Sequence, residues 1–454
     1  MERRRELFGG RSAAILALAG SAIGLGNIWR FPFIAGQYGG AAFILVYIFF
    51  CLLVSLPILL CESVIGRRTH KNTVGAMKEL APGSGWKFLG LLTVIAPVIL
   101  LSYYSVVGGW SVEYLYKAVT LQFRPEAASE VPGMFGSFVS SSGRPVLCLF
   151  VFLAITAVIV YLGVKKGIER FSKVSMPVLF VLVLVIAVYS MTLAGSNEGV
   201  QYLVRPDFSK LTPDALAAAL GQSFFSLSLG AGTMLTYSSY VSKDEDLVAS
   251  GAGTAVSDLL FAVLAGFAVM PAVFASGIAP TAGPGLVFET LPFIFAKMGS
   301  AAGFMSAAAS IVFFLTILVA ALTSSISMME VGVAYLVEER HVSRHRATLG
   351  IFFFSFAAGI LCSLSFGPLA GVKIAGNSIF DFLDKLCSNW LLTLGALFFC
   401  LFVGWKMDKS AVRDELTNGG SRTFNARVFP VIYFLVRYIA PAAILLVFLS
   451  GVIG

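Results

Sequence analysis

The stretch Gly20-Ser21-Ala22-Ile23-Gly24-Leu25-Gly26-Asn27-Ile28-Trp29-Arg30-Phe31-Pro32 limits what this chain can fold into more than any other. It lies in an apolar segment, residues 12–37, long enough to cross a bilayer, which takes about 20 residues. Yet its centre holds glycines, an asparagine, an arginine and a proline. Glycine and proline both weaken a helix locally. At membrane depth, backbone that leaves its helix is tolerated only where it is buried in protein or lines a cavity. The carbonyls it frees can bind a hard cation such as Na⁺, which takes oxygen ligands. The stretch reads as half of an ion and solute site.

Only 12% of the residues are charged and 58% are hydrophobic, against about 25% charged in soluble domains, so the chain is an integral membrane protein. Eleven apolar segments follow one another: 12–37, 41–65, 86–120, 146–162, 174–193, 216–240, 248–275, 301–336, 347–366, 379–404 and 428–453. Most are too long for barrel strands of about 9–11 residues. The fold class expected is all-α, with eleven transmembrane helices in one domain over residues 1–454. The net charge of +8 is spread over loops, which argues against a nucleic-acid partner. Alternate loops hold 22 of the 32 Lys and Arg residues, and by the positive-inside rule those loops are cytoplasmic. The N-terminus is therefore expected inside and Gly454 outside. The run after Met1 is too long and too broken for a signal peptide, and is expected to stay in the mature protein. Six cysteines fall in or beside spans without metal-ligand spacing.

A second interrupted span follows about 200 residues later, Gly221-Gln222-Ser223-Phe224-Phe225-Ser226-Leu227-Ser228-Leu229-Gly230-Ala231-Gly232-Thr233. Two interrupted spans at matching positions of two halves point to a transporter built from inverted repeats. The repeats would cover about 5–195 and about 212–404, leaving an extra helix at about 428–453. Small residues such as Gly20, Gly24 and Gly26 also serve close helix packing, the plainer account of either cluster alone.

These residues, with Glu62-xxx-Gly66-Arg67, Tyr103-Tyr104 and the sixth-segment run, resemble the neurotransmitter:sodium symporters, and among them bacterial members with the LeuT fold. The resemblance runs from about Arg5 to the eleventh segment and implies helices 1 and 6 unwound at mid-membrane. It implies two Na⁺ sites. The first takes the Ala22 carbonyl, Asn27, Ser226, Asp258 and the substrate's own carboxylate. The second takes the carbonyls of Gly20, Ile23 and Ala320 with the hydroxyls of Thr323 and Ser324. Thr and Ser hydroxyls in membrane helices also bond their own i−4 carbonyls, the plainer reading of that pair. Asp258 lies inside an apolar span, where an ionisable residue is costly and by default functional. Several relatives carry a neutral residue there and need chloride, so no chloride requirement is expected here, with Tyr47, Gln222 and Ser226 around the carboxylate. Glu62 is read as structural, bonding exposed backbone near the broken helix.

Gly24 stands where amine-transporting relatives carry an aspartate, so the substrate should be an amino acid bringing its own carboxylate. Backbone amides around Leu25 and Gly26, at a half-helix N-terminus, suit that anion. By the resemblance, Tyr104 bonds it and Phe225 closes over it. Ser21, Ala22, Leu100, Ser226, Ser228, Ala231, Ser324 and Met328 complete the pocket. The small Ala231 predicts a roomy cavity and a bulky apolar or aromatic substrate. The gates implied are Arg30 with Asp384 outside, and Arg5 with Glu338, helped by Tyr240, inside. Phe8 stands where relatives often have tryptophan. Gly167 and Pro177 match a pattern at which the fifth helix unwinds to admit water. Residues 282–289 followed by Leu291-Pro292 resemble an outer hairpin capping the vestibule, though any amphipathic loop reads similarly. Arg437 in the eleventh segment has no partner the sequence names.

The expectation is a sodium-coupled amino-acid symporter working by alternating access in a bacterial inner membrane, as a monomer or weak dimer in the lipid bilayer. A sensor that binds without transport, or a carrier of amines or osmolytes, stays open. No phosphate-binding loop exists, nothing supplies a channel filter, and all three histidines lie in loops, away from any intramembrane metal site or triad.

Overall fold

The computed structural model describes residues 6–123, 130–277, 286–297 and 303–453. Lipid offers the backbone no hydrogen-bond partners, so apolar segments of this length satisfy themselves as helices. Among the described residues, nine helices are long and apolar enough to cross a membrane, or ten if one bent pair counts as a single span. That pair is the first segment. Its helix Arg11–Ala22 stops, Ile23 is extended, and helix resumes at Gly26, with the two pieces 57° apart.

The sixth segment is divided as well, into Pro213–Ser226 and Thr233–Ser238, each too short to cross alone. The six residues between them turn through positive φ at Ser228 (52°), Gly230 (78°) and Gly232 (67°). Glycine takes that region without the strain a Cβ brings. The turn frees backbone N–H groups in a buried place, and Glu62 collects them. Its carboxylate accepts from Gly230 N (2.7 Å) and Leu235 N (3.3 Å). Glu62 is fully buried, and its sequence reading as a backbone anchor matches this geometry.

Packing ranks the spans by position. Within the membrane window of Lys87–Val119, 72% of residues are buried, and in Ala307–Glu339 78%, against 33% for Thr423–Leu449. The third and eighth spans therefore form the centre beside the broken first helix, and the eleventh lies at the rim. Outside the spans, Val287, Phe288 and Leu291 are buried in the segment that follows the seventh span. The Phe288 ring meets Trp29 (6.3 Å), Trp110 (5.7 Å), Tyr114 (5.2 Å) and Phe135 (5.6 Å). This part of the expected hairpin packs on the first and third spans. Residues 282–285 of that loop lie outside the described residues.

The fifth span runs without interruption over Val164–Met191, opening with a wide π turn at Val164–Glu169 and carrying Pro177 inside the helix. Between Gly167 and Pro177 the helix is wound. The backbone amides at its start are capped by Glu6, which accepts from Val164 N (3.1 Å) and Lys165 N (3.3 Å).

Candidate functional site

Breaking the first helix leaves the Ile23 carbonyl without its helical donor. The eighth span answers it with two hydroxyls: Thr323 Oγ1 donates to Ile23 O at 3.0 Å and Ser324 Oγ at 3.3 Å. Thr323 also donates to Ala320 O (2.8 Å), so two carbonyls and two hydroxyls from facing helices share one buried point. Gly20 lies in the last turn of the helix before the break, against Met176 and Ser172 of the fifth span.

Four residues further on, Asn27 ties down the other side of the break. Its Oδ1 accepts from Gly24 N (3.0 Å), which holds the local turn. Its Nδ2 donates to Ser226 Oγ (2.9 Å) and to Asp258 Oδ1 (2.7 Å). The second Asp258 oxygen accepts from Ser226 (2.6 Å) and Tyr47 (3.3 Å). Asn27 thus joins Ser226 and Asp258, which follow it by 199 and 231 residues, in one buried cluster. Gln222, expected beside the carboxylate, instead donates to Gly26 O (3.3 Å), reaching the broken backbone.

Between these two clusters lies a cavity of about 30 Å³. It is lined by Ala22, Leu25, Gly26, Leu100, Tyr104, Phe225, Ser226, Ser228, Ala231, Ser324 and Met328, together with Gly24, Asn27, Thr233 and Leu392. Ser21 alone of the expected set stays behind it, fully buried with its hydroxyl unpartnered. Tyr104 accepts from Leu25 N (3.4 Å). The roomy cavity expected from Ala231 is not found. The space would hold about two or three waters. Ala231 packs against Ala96 and Leu392, and the Phe225 ring lies over Gly26, where an added Cβ would sit 3.0 Å from it.

Arg30 and Asp384, the expected outer pair, make no direct ion pair in this structure; the Arg30 guanidinium lies 4.6 Å from the Phe225 ring centroid, and Asp384 accepts from Ser388 (3.1 Å). A cavity of about 240 Å³ lined by Arg30, Phe225 and Ser388 lies beside them. The cation–π contact gives the guanidinium a partner on its own side of that space.

At the opposite end, Arg5 lies outside the described residues. Glu338 accepts from Asn72 N (2.7 Å) and Asn72 Nδ2 (3.0 Å). The Tyr240 hydroxyl donates to Glu330 (2.6 Å), a residue the sequence reading missed. Glu330 is fully buried and holds Arg344 through both oxygens, at 3.0 and 2.5 Å. The signal was available, since Glu330 is an acid inside the eighth apolar segment. Phe8 N donates to Tyr240 O (2.8 Å), its ring stands edge-on to Tyr237 and Tyr240, and Gly9 N donates to Glu169 (3.0 Å).

Two helix breaks flanked by oxygen clusters are thus joined through one small cavity. The profile of the "Sodium:neurotransmitter symporter family" matches residues 5–132 and 128–454. The chain belongs to the sodium:neurotransmitter symporter family. Among its relatives in this symporter family, the uncharacterized sodium-dependent transporter YhdH of Bacillus subtilis is 39% identical, over 96% of this chain and 95% of its own. An uncharacterized sodium-dependent transporter of Haemophilus influenzae is 34% identical, over 99% and 98%. The crystal structure of MhsT in complex with L-phenylalanine is similar with a TM-score of 0.88 and 42% identity, covering 98% of this chain and all of that one. The symporter chain is therefore an all-helical, multi-pass membrane transporter of the LeuT fold, from a sodium-dependent family.

Proposed function

We propose that this protein carries an amino acid with an apolar or aromatic side chain across the membrane, driven by two Na⁺ ions, by alternating access and without chloride. The observation that carries the reading is the paired break. It sets the Ile23 carbonyl against Thr323 and Ser324, and Asn27 against Ser226 and Asp258, on two sides of one cavity. Desolvated Na⁺ needs about six oxygens. The first cluster offers carbonyls of Ile23 and Ala320 with two hydroxyls, completed by Gly20. The second offers Asn27, Ser226 and Asp258 with the Ala22 carbonyl, completed by the substrate's carboxylate. Each ligand finishes the other's site, so binding of one raises the affinity of the other by the same factor.

The carboxylate would lie on the amides of Leu25 and Gly26 beside Tyr104, where a helix resumes. Leu100, Phe225, Met328 and Leu392 make the rest apolar, and the structural relative holds L-phenylalanine. A side chain of that size requires Phe225 to swing from Gly26. The chain would then span the membrane eleven times, its sixth segment as a second broken span, in two inverted repeats, with the N-terminus cytoplasmic and the C-terminus outside. The buried Asp258 carboxylate supplies the negative charge a chloride would. Arg30 and Asp384 closing outside, and release of the segment around Arg5, Phe8 and Tyr240 inside with unwinding near Gly167, would give alternate access. At about −100 mV each inward charge adds about 2.3 kcal/mol.

Uptake of labelled phenylalanine, leucine and glycine into proteoliposomes, with an inward Na⁺ or K⁺ gradient, tests this. Phenylalanine or leucine accumulation only with Na⁺ is expected. Equal rates in K⁺ would end the symport reading, and Na⁺-dependent binding without accumulation would make the chain a sensor.

A further inference from the structure

One charged side chain takes no part in anything above. Arg437 sits inside the apolar span Thr423–Leu449, yet it joins no ion pair among the described residues, and its Nε is buried without a hydrogen-bond partner. Its guanidinium lies 4.3 Å from the Trp405 ring centroid and 5.6 Å from that of Tyr438. Trp405 Nε1 donates to the Arg437 carbonyl (3.1 Å), and the Trp405 and Tyr438 rings meet edge-on at 5.7 Å. Both rings face outward from the bundle, 56% and 46% exposed. Trp405 and Lys406 close the tenth span, and Lys409 Nζ lies 5.2 Å from the ring of Tyr433, one turn before Arg437.

An unpaired cation within a span is costly. An arginine that only sets topology lies in a loop or snorkels to water. Arg437 is instead held against an aromatic face. Stacking satisfies the plane of the guanidinium and none of its in-plane N–H donors. Tryptophan and tyrosine rings gather where acyl chains meet headgroups. The anion available at that depth is a lipid phosphodiester, whose oxygens match the guanidinium fork. Two further cations at the same end, Lys406 and Lys409, favour a headgroup with net negative charge over a zwitterionic one.

We propose that Arg437, with Lys406 and Lys409, binds the phosphodiester of one anionic phospholipid seated against Trp405 and Tyr438. Native mass spectrometry of the full chain in detergent, titrated with phosphatidylglycerol or with phosphatidylcholine of the same acyl chains, tests it. One phosphatidylglycerol should be retained preferentially, and retention should weaken about fivefold for each charge removed. The variants are Arg437→Gln and the paired Lys406→Gln with Lys409→Gln. The paired lysine variant lies outside the core and keeps the test decisive should Arg437→Gln fail to fold. Inorganic phosphate added in millimolar excess should displace no lipid. Equal retention of the two lipids overturns the proposal, as does wild-type retention in the folded variants. Displacement by inorganic phosphate overturns the lipid as the source of the anion. Lipid retention is read without transport, so this result stands apart from the symport reading.

Discussion

Asn27 Nδ2 and Asp258 Oδ1 lie 2.7 Å apart, joining the break in the first span to the interior of the seventh across 231 residues of sequence. With Ser226 and Tyr47 on its other oxygen, the carboxylate holds three side-chain donors in a fully buried place. On the proposed reading, a Na⁺ seated there beside a substrate carboxylate would rest on a fixed negative charge. Uptake by the wild type should therefore be equal in sodium chloride and sodium gluconate. Asp258→Asn removes the charge and keeps the size, leaving a desolvated cation short of a counter-charge. Its uptake should fall at least about tenfold in gluconate and recover in part with chloride. A wild type that needs chloride would sink the idea.

Gly24 connects the cavity to the other cluster. A Cβ there would lie 2.3 Å from Ser324 Oγ and 3.1 Å from the Tyr104 hydroxyl. That hydroxyl of Ser324 is one of the two bonded to the Ile23 carbonyl. Gly24→Ala should push it off, weakening the proposed ion site without cutting a core. The Na⁺ concentration for half-maximal uptake should rise about tenfold, corresponding to about 1.4 kcal/mol, of the order of one hydrogen bond to a charged group. Thermal stability in detergent should change little. Unaltered Na⁺ dependence in folded Gly24→Ala would separate the pocket from that ion site.

Glu62 makes a stability prediction. Its two oxygens satisfy Gly230 N, in the turn between the halves of the sixth segment, and Leu235 N, in the first turn of its second half. Glu62→Ala leaves both donors buried and unpaired, at about 1–3 kcal/mol each. The heat-denaturation midpoint should drop markedly, and Glu62→Gln, which keeps one acceptor oxygen, should recover about half of the loss. Equal midpoints for all three proteins would mean the turn holds itself.

Much of this was legible because the pattern is chemical. Glycines and hydroxyls inside apolar segments mark where a helix cannot simply continue, and Asp258 marks a charge that needs partners. What the sequence could not supply was distance. Gln222 belongs to the right span but reaches Gly26 rather than Asp258, because one helical turn decides which neighbour its amide meets. Ala231 is small, yet its space is taken by Leu392 from a helix 161 positions later. Arg30 and Asp384 have opposite charges, but the Phe225 face holds the arginine. Volumes and pairings depend on how helices lean, which residue types along one chain do not encode singly.

Glu330 shows what that leaning adds. Its carboxylate joins three elements: Tyr240 at the end of the sixth segment, the eighth span itself, and Arg344 at the start of the ninth helix. Tyr240 in turn holds the N-terminal segment through its carbonyl bond from Phe8 N. Removing the acid should therefore loosen contacts it does not touch. Glu330→Ala strands Arg344, whose side chain is 25% exposed, so the loss should fall below the roughly 3–5 kcal/mol of a fully buried pair. Hydrogen exchange should quicken about tenfold or more at residues 6–10 and at the π turn of Val164–Glu169 that Glu6 caps. Glu330→Gln keeps an acceptor for Tyr240 while losing the charge for Arg344, and should fall between. If exchange rises only around Arg344 and residues 6–10 keep their protection, the acid is a local brace, and the tie between the N-terminal segment and the eighth span is not carried by it.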